Sequence, residues 1–195
     1  MLRRILDGVV CLAPLIAGMP ALAANPAPPP QESSGIGGPF TLVDQDGRTV
    51  TDGTYRGSWM LLYFGYTHCP DTCPMALSNV AETLDRLDAA TRARLQPIFV
   101  TVDPDRDTPA VLKDYVGAFE GARIVGLSGS HEQVAAVEAA YRIHAQRRAG
   151  ADGEYSIDHT AFFYVVDPDG RFVALISDLM QPERLATRLT QMVTR

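Results

Sequence analysis

The segment Gly65-Tyr-Thr-His-Cys-Pro-Asp-Thr-Cys-Pro74 sets two thiols, Cys69 and Cys73, four residues apart. Cysteines at that spacing can close a disulfide, exchange electrons as a dithiol, or ligate a metal ion. On a helical turn their Cβ atoms come to about 5–6 Å, near enough to share one ion or, after adjustment, to form a bridge. A purely structural disulfide across so short a loop constrains the unfolded chain little. The apolar run Met60–Tyr66 precedes the pair, and Leu77, Val80, Leu84 and Leu87 follow it at helical spacing. A buried strand therefore hands over to a helix with Cys73 as its N-cap and Pro74 as its first residue. Both sulfurs then lie near free N–H groups and the positive end of the helix dipole, which favours the thiolate.

The compartment decides which thiol chemistry is open. Met1-Leu-Arg-Arg is a short basic region, and an apolar stretch from Ile5 to Ala23 closes on Ala21-Leu-Ala23. That is the pattern of a signal peptide over residues 1–23, cleaved before Ala24. The competing reading is a membrane anchor. The stretch reaches the ~20 residues a span needs, but Asp7, Pro14 and Pro20 interrupt it. Either reading exports the rest of the chain. Cleavage removes Cys11 and leaves Cys69 and Cys73 as the only thiols, in an oxidising setting. Residues 24–38, with Pro26, Pro28, Pro29, Pro30, Gly35, Gly37 and Gly38, read as an extended tether.

The chain has 195 residues, 46% apolar and 21% charged, with a net charge of −6. Those proportions fit a globular domain and exclude a disordered or many-span membrane protein. The longest basic runs are the pairs Arg3-Arg4 and Arg147-Arg148, which argues against a nucleic-acid partner.

The elements that must position the thiols follow from periodicity. Phe40–Val43 and Arg48–Thr51 flank the turn Asp44-Gln-Asp-Gly47 as a hairpin. Met60–Tyr66 and Ile98–Val102 are buried central strands. A helix opens at Thr108-Pro109 and runs to near Gly121, and Ile124–Leu127 is a short strand. Ser130 and Gln133 form a capping box for a helix bearing Val134, Val137, Tyr141 and His144 on one stripe. Thr160–Val166 and Phe172–Ile176 make a second hairpin about Asp167-Pro-Asp-Gly170, and Pro182 opens a last helix with Leu185, Leu189 and Met192. The order predicts an α/β fold over residues 39–195, thioredoxin-like, with a mixed central sheet and flanking helices.

Three segments in this order, Tyr66–Pro74, Val102-Asp-Pro-Asp-Arg-Asp-Thr-Pro109 and Ile157-Asp-His-Thr-Ala161, resemble the Sco (SenC) family of copper proteins. The likeness covers roughly Pro39 to Val193. It implies copper, Cu(I) and Cu(II), bound by Cys69, Cys73 and His159, and service in building the dinuclear copper A centre of cytochrome c oxidase. The implied partners are the copper-site subunit of that oxidase and another periplasmic copper donor. The family is usually held to the membrane by an N-terminal helix, so an Ala-Leu-Ala cleavage pattern bears on anchoring. In the resembled fold, the residue entering the late strand faces the cysteine loop, and redox thioredoxins place a cis-proline there. An imidazole in that place adds a third ligand, and two thiolates with one imidazole suit Cu(I) and adapt to Cu(II). A three-ligand zinc site with an open position is also chemically allowed.

Other polar residues have plainer readings. His68 diverges from the sulfurs and is exposed, His131 follows its N-cap into solvent, and His144 packs at a helix end. Asp103, Asp105, Arg106 and Asp107 lack the spacing of an EF-hand. They form a strand-end turn and a candidate partner-docking surface. Two functions remain in play: delivery of copper, as an exported chaperone and not an enzyme, or reduction of the cysteines of an apo copper site through a Cys69–Cys73 redox disulfide. A peroxidase, which wants one dominant thiol beside an Arg and a Thr, finds only part of its site in Pro70-Asp-Thr-Cys73.

Overall fold

The computed structural model describes residues 35–194, so the signal-peptide assignment and most of the tether lie outside the described residues. The first hairpin forms as expected, β1 over Thr41–Asp44 and β2 over Thr49–Thr51. Strand β3 spans Trp59–Gly65 and is buried from Met60 onward. Helix α1 spans Thr72–Asp85, the short α2 spans Ala89–Ala93, and β4 covers Leu95–Thr101. Helix α3 runs Pro109–Gly117, with the Thr108 hydroxyl accepting from the Val111 N–H. Strand β5 is Val125–Ser128. Helix α4, His131–Tyr141, begins with the Ser130–Gln133 capping box and stops at Arg142, in the left-handed region at φ 56°.

Next comes an element that the periodicity does not announce, a hairpin of β6 over Ala145–Ala149 and β7 over Tyr155–His159. The chain closes with β8 over Phe162–Val166, β9 over Phe172–Ser177 and α5 over Pro182–Val193.

The main sheet has seven strands in the order β2-β1-β5-β4-β3-β8-β9, and β6–β7 forms a separate two-stranded sheet. Strands β3, β4 and β5 are parallel, while β1 and β8 pair antiparallel with β5 and β3. The fold class is thus α/β and thioredoxin-like with a mixed sheet, as the element order predicts. Leu62, Phe64, Phe99, Val100, Phe163 and Val165 are fully buried in the sheet, and Leu77, Leu112, Leu185 and Leu189 reach into that core from the helices. Burying such side chains contributes about 1.5–3 kcal/mol each.

Three boundaries depart from expectation. Helix α1 starts at Thr72 with Asp71 as its N-cap, so Cys73 lies inside the first turn and Pro74 one residue further in. Helix α3 ends at Gly117, short of Gly121. His144 lies beyond the end of α4 and does not continue its stripe. Among the described residues, no helix is long and apolar enough to cross a membrane.

Gly65 shows how the sheet accommodates the thiols. A Cβ built there would stand 2.7 Å from the Cys73 sulfur and 2.9 Å from the Phe99 ring. The sulfur is fully buried, and the aromatic core behind it leaves no room to retreat. Gly65→Ala is therefore expected to lower unfolding stability by about 1–3 kcal/mol through overpacking. Urea titration of the reduced protein measures this, and an unchanged midpoint would show that the sulfur moves freely.

Candidate metal centre

The loop after β3, the first turn of α1 and the end of β7 meet at one place. Their donor atoms, Cys69 Sγ, Cys73 Sγ and one imidazole nitrogen of His159, all lie within 4.8 Å of one another. The Cys73 sulfur is 3.4 Å from His159 Nε2. A first-row ion about 2.0–2.3 Å from three ligands in a plane separates them by roughly 3.5–4 Å. The cluster thus fits a three-coordinate ion with little movement.

Each donor is held by its own element. Cys69 Sγ accepts the Cys73 N–H at 3.4 Å, so the sulfur itself serves a free N–H of the helix terminus where the Asp71 side chain does not. The Cys69 N–H donates to the Tyr66 carbonyl at 3.2 Å, closing the turn that aims the thiol. His159 Nδ1 lies 3.1 Å from the Thr160 carbonyl oxygen. A carbonyl only accepts, so Nδ1 is the nitrogen that donates there and Nε2 is the one turned toward Cys73. The rings of Tyr63 and Tyr66 stand edge-on to the imidazole at 6.2 and 5.8 Å and limit its rotation.

The two thiols are electrostatically unlike. A hydrogen bond from the Cys73 thiol, with further help from backbone N–H groups, brings Cys69 down to about 5 against the opposing effect of burial. Donating to Cys69 and being buried push Cys73 up. A metal ion that takes both sulfurs must therefore displace the proton that Cys73 favours keeping. Cys69 is half-buried and opens on a cleft of about 400 Å³ lined by Tyr66, Asp71, Ile157, Asp158 and Ala161 among others.

The residues singled out by sequence come together here, with one correction to their setting. His159 ends a strand of its own, β7, two residues before β8, and does not stand directly at the mouth of the late core strand. His68 is exposed, its Nδ1 3.1 Å from the Thr67 hydroxyl. His131 is exposed as expected but pairs with Asp105 at 2.7 Å. The aspartate segment is more than a turn. Asp103 and Asp107 are fully buried, and Asp107 accepts from the Thr67 N–H at 3.0 Å and from the Thr67 and Thr101 hydroxyls, each at 2.6 Å. The contact of Tyr63 and Tyr66 with the imidazole was missed, because tyrosines inside an apolar run carry no mark of what they touch.

The SCO1/SenC family model matches residues 28–194. The human mitochondrial SCO1 homologue is 41% identical over 140 residues, 71% of this chain and 46% of that protein. Mitochondrial SCO2 of Saccharomyces cerevisiae is 40% identical over 143 residues, 72% of this chain and 47% of that protein. The chain thus spans about half the length of these curated relatives. Among solved structures, Bradyrhizobium japonicum ScoI with copper bound superposes with a TM-score of 0.74 at 43% identity, covering 80% of this chain and 98% of that one. Yeast Sco1 with copper bound gives a TM-score of 0.74 at 34% identity over 82% and 88% of the two chains.

The unequal thiols predict unequal reactivity. In the reduced, metal-free protein at about pH 7, iodoacetamide is expected to label Cys69 first, with Cys73 following only slowly or after denaturation. The rate at Cys69 should fall as pH drops through about 5, where its thiolate is protonated. Peptide mass mapping reads both sites, and equal labelling would contradict the asymmetry.

Proposed function

The chain belongs to the SCO1/SenC family, and on that premise we propose that it is an exported copper chaperone. It holds copper through Cys69, Cys73 and His159 and delivers it to the copper-site subunit of cytochrome c oxidase. The observation that carries this reading is the convergence of two sulfurs and one imidazole nitrogen within 4.8 Å, from a loop, a helix and a strand. A soft, low-coordinate donor set of this kind suits Cu(I). The copper bound in the Bradyrhizobium and yeast structures supports the same cargo. The basic and apolar residues 1–23 support export, to the periplasm in a bacterial cell, with another periplasmic copper donor as the source of the metal.

Delivery follows from the same geometry. Cys69, half-exposed and ionised, is the donor an incoming ion meets first. To complete the set, Cys73 must release its proton and His159 must donate through Nε2. Release reverses the order when an acceptor's thiolates compete for the ion through the cleft.

A second reading rests on the depressed Cys69 thiol. A thiolate beside a buried thiol can attack a disulfide sulfur of a partner and form a mixed disulfide. Cys73, once deprotonated, attacks Cys69, the partner leaves with two reduced thiols, and this chain keeps a Cys69–Cys73 disulfide. Such a reductase needs no imidazole.

Reduced protein is expected to bind one copper per chain, and Cys69→Ser, Cys73→Ser or oxidation to the disulfide should each abolish tight Cu(I) retention. Copper content after gel filtration, before and after re-reduction, measures it. Equal copper in all forms would exclude these sulfurs as ligands.

His159→Ala separates the two functions. It should weaken Cu(I) binding roughly a hundredfold, on the order of two decades at 1.4 kcal/mol each, and alter the sulfur-to-copper absorption while both thiols stay titratable. Oxidase maturation in cells carrying only this variant should fail. Full maturation despite weak copper binding would shift the assignment to the reductase.

A further inference from the structure

The hairpin that carries His159 lies outside the main sheet, so something other than sheet hydrogen bonds must fix the imidazole opposite the cysteines. Its own faces bury little: Ile157 is the one buried residue of β6 and β7. The hairpin is instead clamped to the 103–107 segment. Arg106 Nη1 donates to the Tyr155 carbonyl at 3.1 Å, and its guanidinium stands 3.6 Å over the Tyr155 ring and 5.6 Å over that of Tyr66. Arg106 Nε pairs with the fully buried Asp103, whose other oxygen accepts the Tyr155 hydroxyl at 2.8 Å. Arg147 of β6 stands 4.2 Å over the same ring and pairs with Asp105. One further tie, from the Ile157 N–H to the Tyr66 hydroxyl at 3.3 Å, ends two residues before His159.

We propose that Arg106, acting with Asp103 and Tyr155, is the positioning residue that seats His159 against the two thiols. The guanidinium grips three things at once: a buried carboxylate, the first carbonyl of β7, and the tyrosine rings at the start of β7 and just past β3. A planar group with several donors and a stacking face can do this, and an ammonium cannot. From Tyr155 to His159 every residue of the strand is paired with β6. Arg106 contacts neither sulfur, and the strand that ends in His159 is its route to the site. The same segment grips the cysteine side through Asp107 and Thr67. Residues 103–107 thus brace both halves of the site. This proposal rests on the copper-site reading above.

The test is a double-mutant cycle on the full chain, with Cu(I) affinity measured by chelator competition. Arg106→Gln should weaken binding tenfold to a hundredfold, in the range typical for residues that orient a metal ligand. The variant Arg106→Gln/His159→Ala should bind no more weakly than His159→Ala alone, because the brace has nothing left to position. Additive losses would make Arg106 a general structural residue and overturn the proposal. Tyr155→Phe, which removes one hydroxyl, should show the same non-additivity with a smaller loss and serves if Arg106→Gln does not fold. The metal-free proteins give an independent reading by NMR of the imidazoles. The His159 ring resonances should shift in Arg106→Gln and stay fixed in Arg171→Gln, an exposed change on the turn between β8 and β9. Unshifted resonances in Arg106→Gln, or equal shifts in both, would overturn the proposal. If the parent protein takes up no copper, the copper reading fails, and the imidazole resonances still decide the positioning role.

Discussion

The carboxylate of Asp107 is sealed from solvent and compensated by three hydrogen bonds, two from Thr67 and one from Thr101. Burial pushes its pKa up while those donors pull it down. A buried acid without them would cost several kcal/mol, so the loop geometry and the carboxylate stabilise each other. Their mutual dependence fixes where the cysteine loop leaves the sheet. Strands β3 and β4 are parallel and end together, Gly65 opposite Thr101, so the loops that follow emerge side by side. Functional sites in α/β sheets lie beyond such carboxyl ends. Here that rule has a specific form: one loop carries the thiols, its neighbour carries the carboxylate that holds them.

The thiols divide their labour because they belong to different environments. Cys73 is packed over Gly65 in the helix and cannot move without disturbing the aromatic core. Cys69 lies on the loop, half-exposed, and accepts from the helix terminus. A fixed sulfur defines the position of the site, and a more accessible one makes contact with the outside. The same contrast suits ligand exchange and disulfide exchange, which is why the third donor, His159, discriminates between functions better than the cysteines do.

Much of this was legible in the residues themselves. The Ser130–Gln133 capping box, the Thr108-Pro109 start and the Leu77–Val80–Leu84 stripe announce their helices because local hydrogen bonding and burial agree with the global fold. The family resemblance placed His159 beside the cysteines before any geometry was known. The β6–β7 hairpin was not legible. Ala145-Gln-Arg-Arg-Ala149 is exposed almost throughout and Tyr155–His159 buries only Ile157, so no alternation of apolar and polar residues marks either strand. The aspartates read as no more than a strand-end turn and docking surface for a similar reason. Their partners, Thr67, Tyr155 and Arg147, are some 40 to 50 residues away in sequence, and only the folded chain brings them close. The start of α1 was misjudged because proline is favoured at the first helical position, whereas here the helix begins two residues earlier.

The separation of the donors along the chain has a topological consequence. An ion gripped by both Cys73 and His159 ties together positions 86 residues apart. In chain-entropy terms, a cross-link closing such a loop removes about 4–5 kcal/mol of conformational freedom from the unfolded ensemble, against about 2 for a link between residues as near as 69 and 73. Loading with metal and oxidation of the same thiols therefore tie the chain to very different degrees: the first links an early helix to a late strand, and the second closes only a small ring at the tip of one helix.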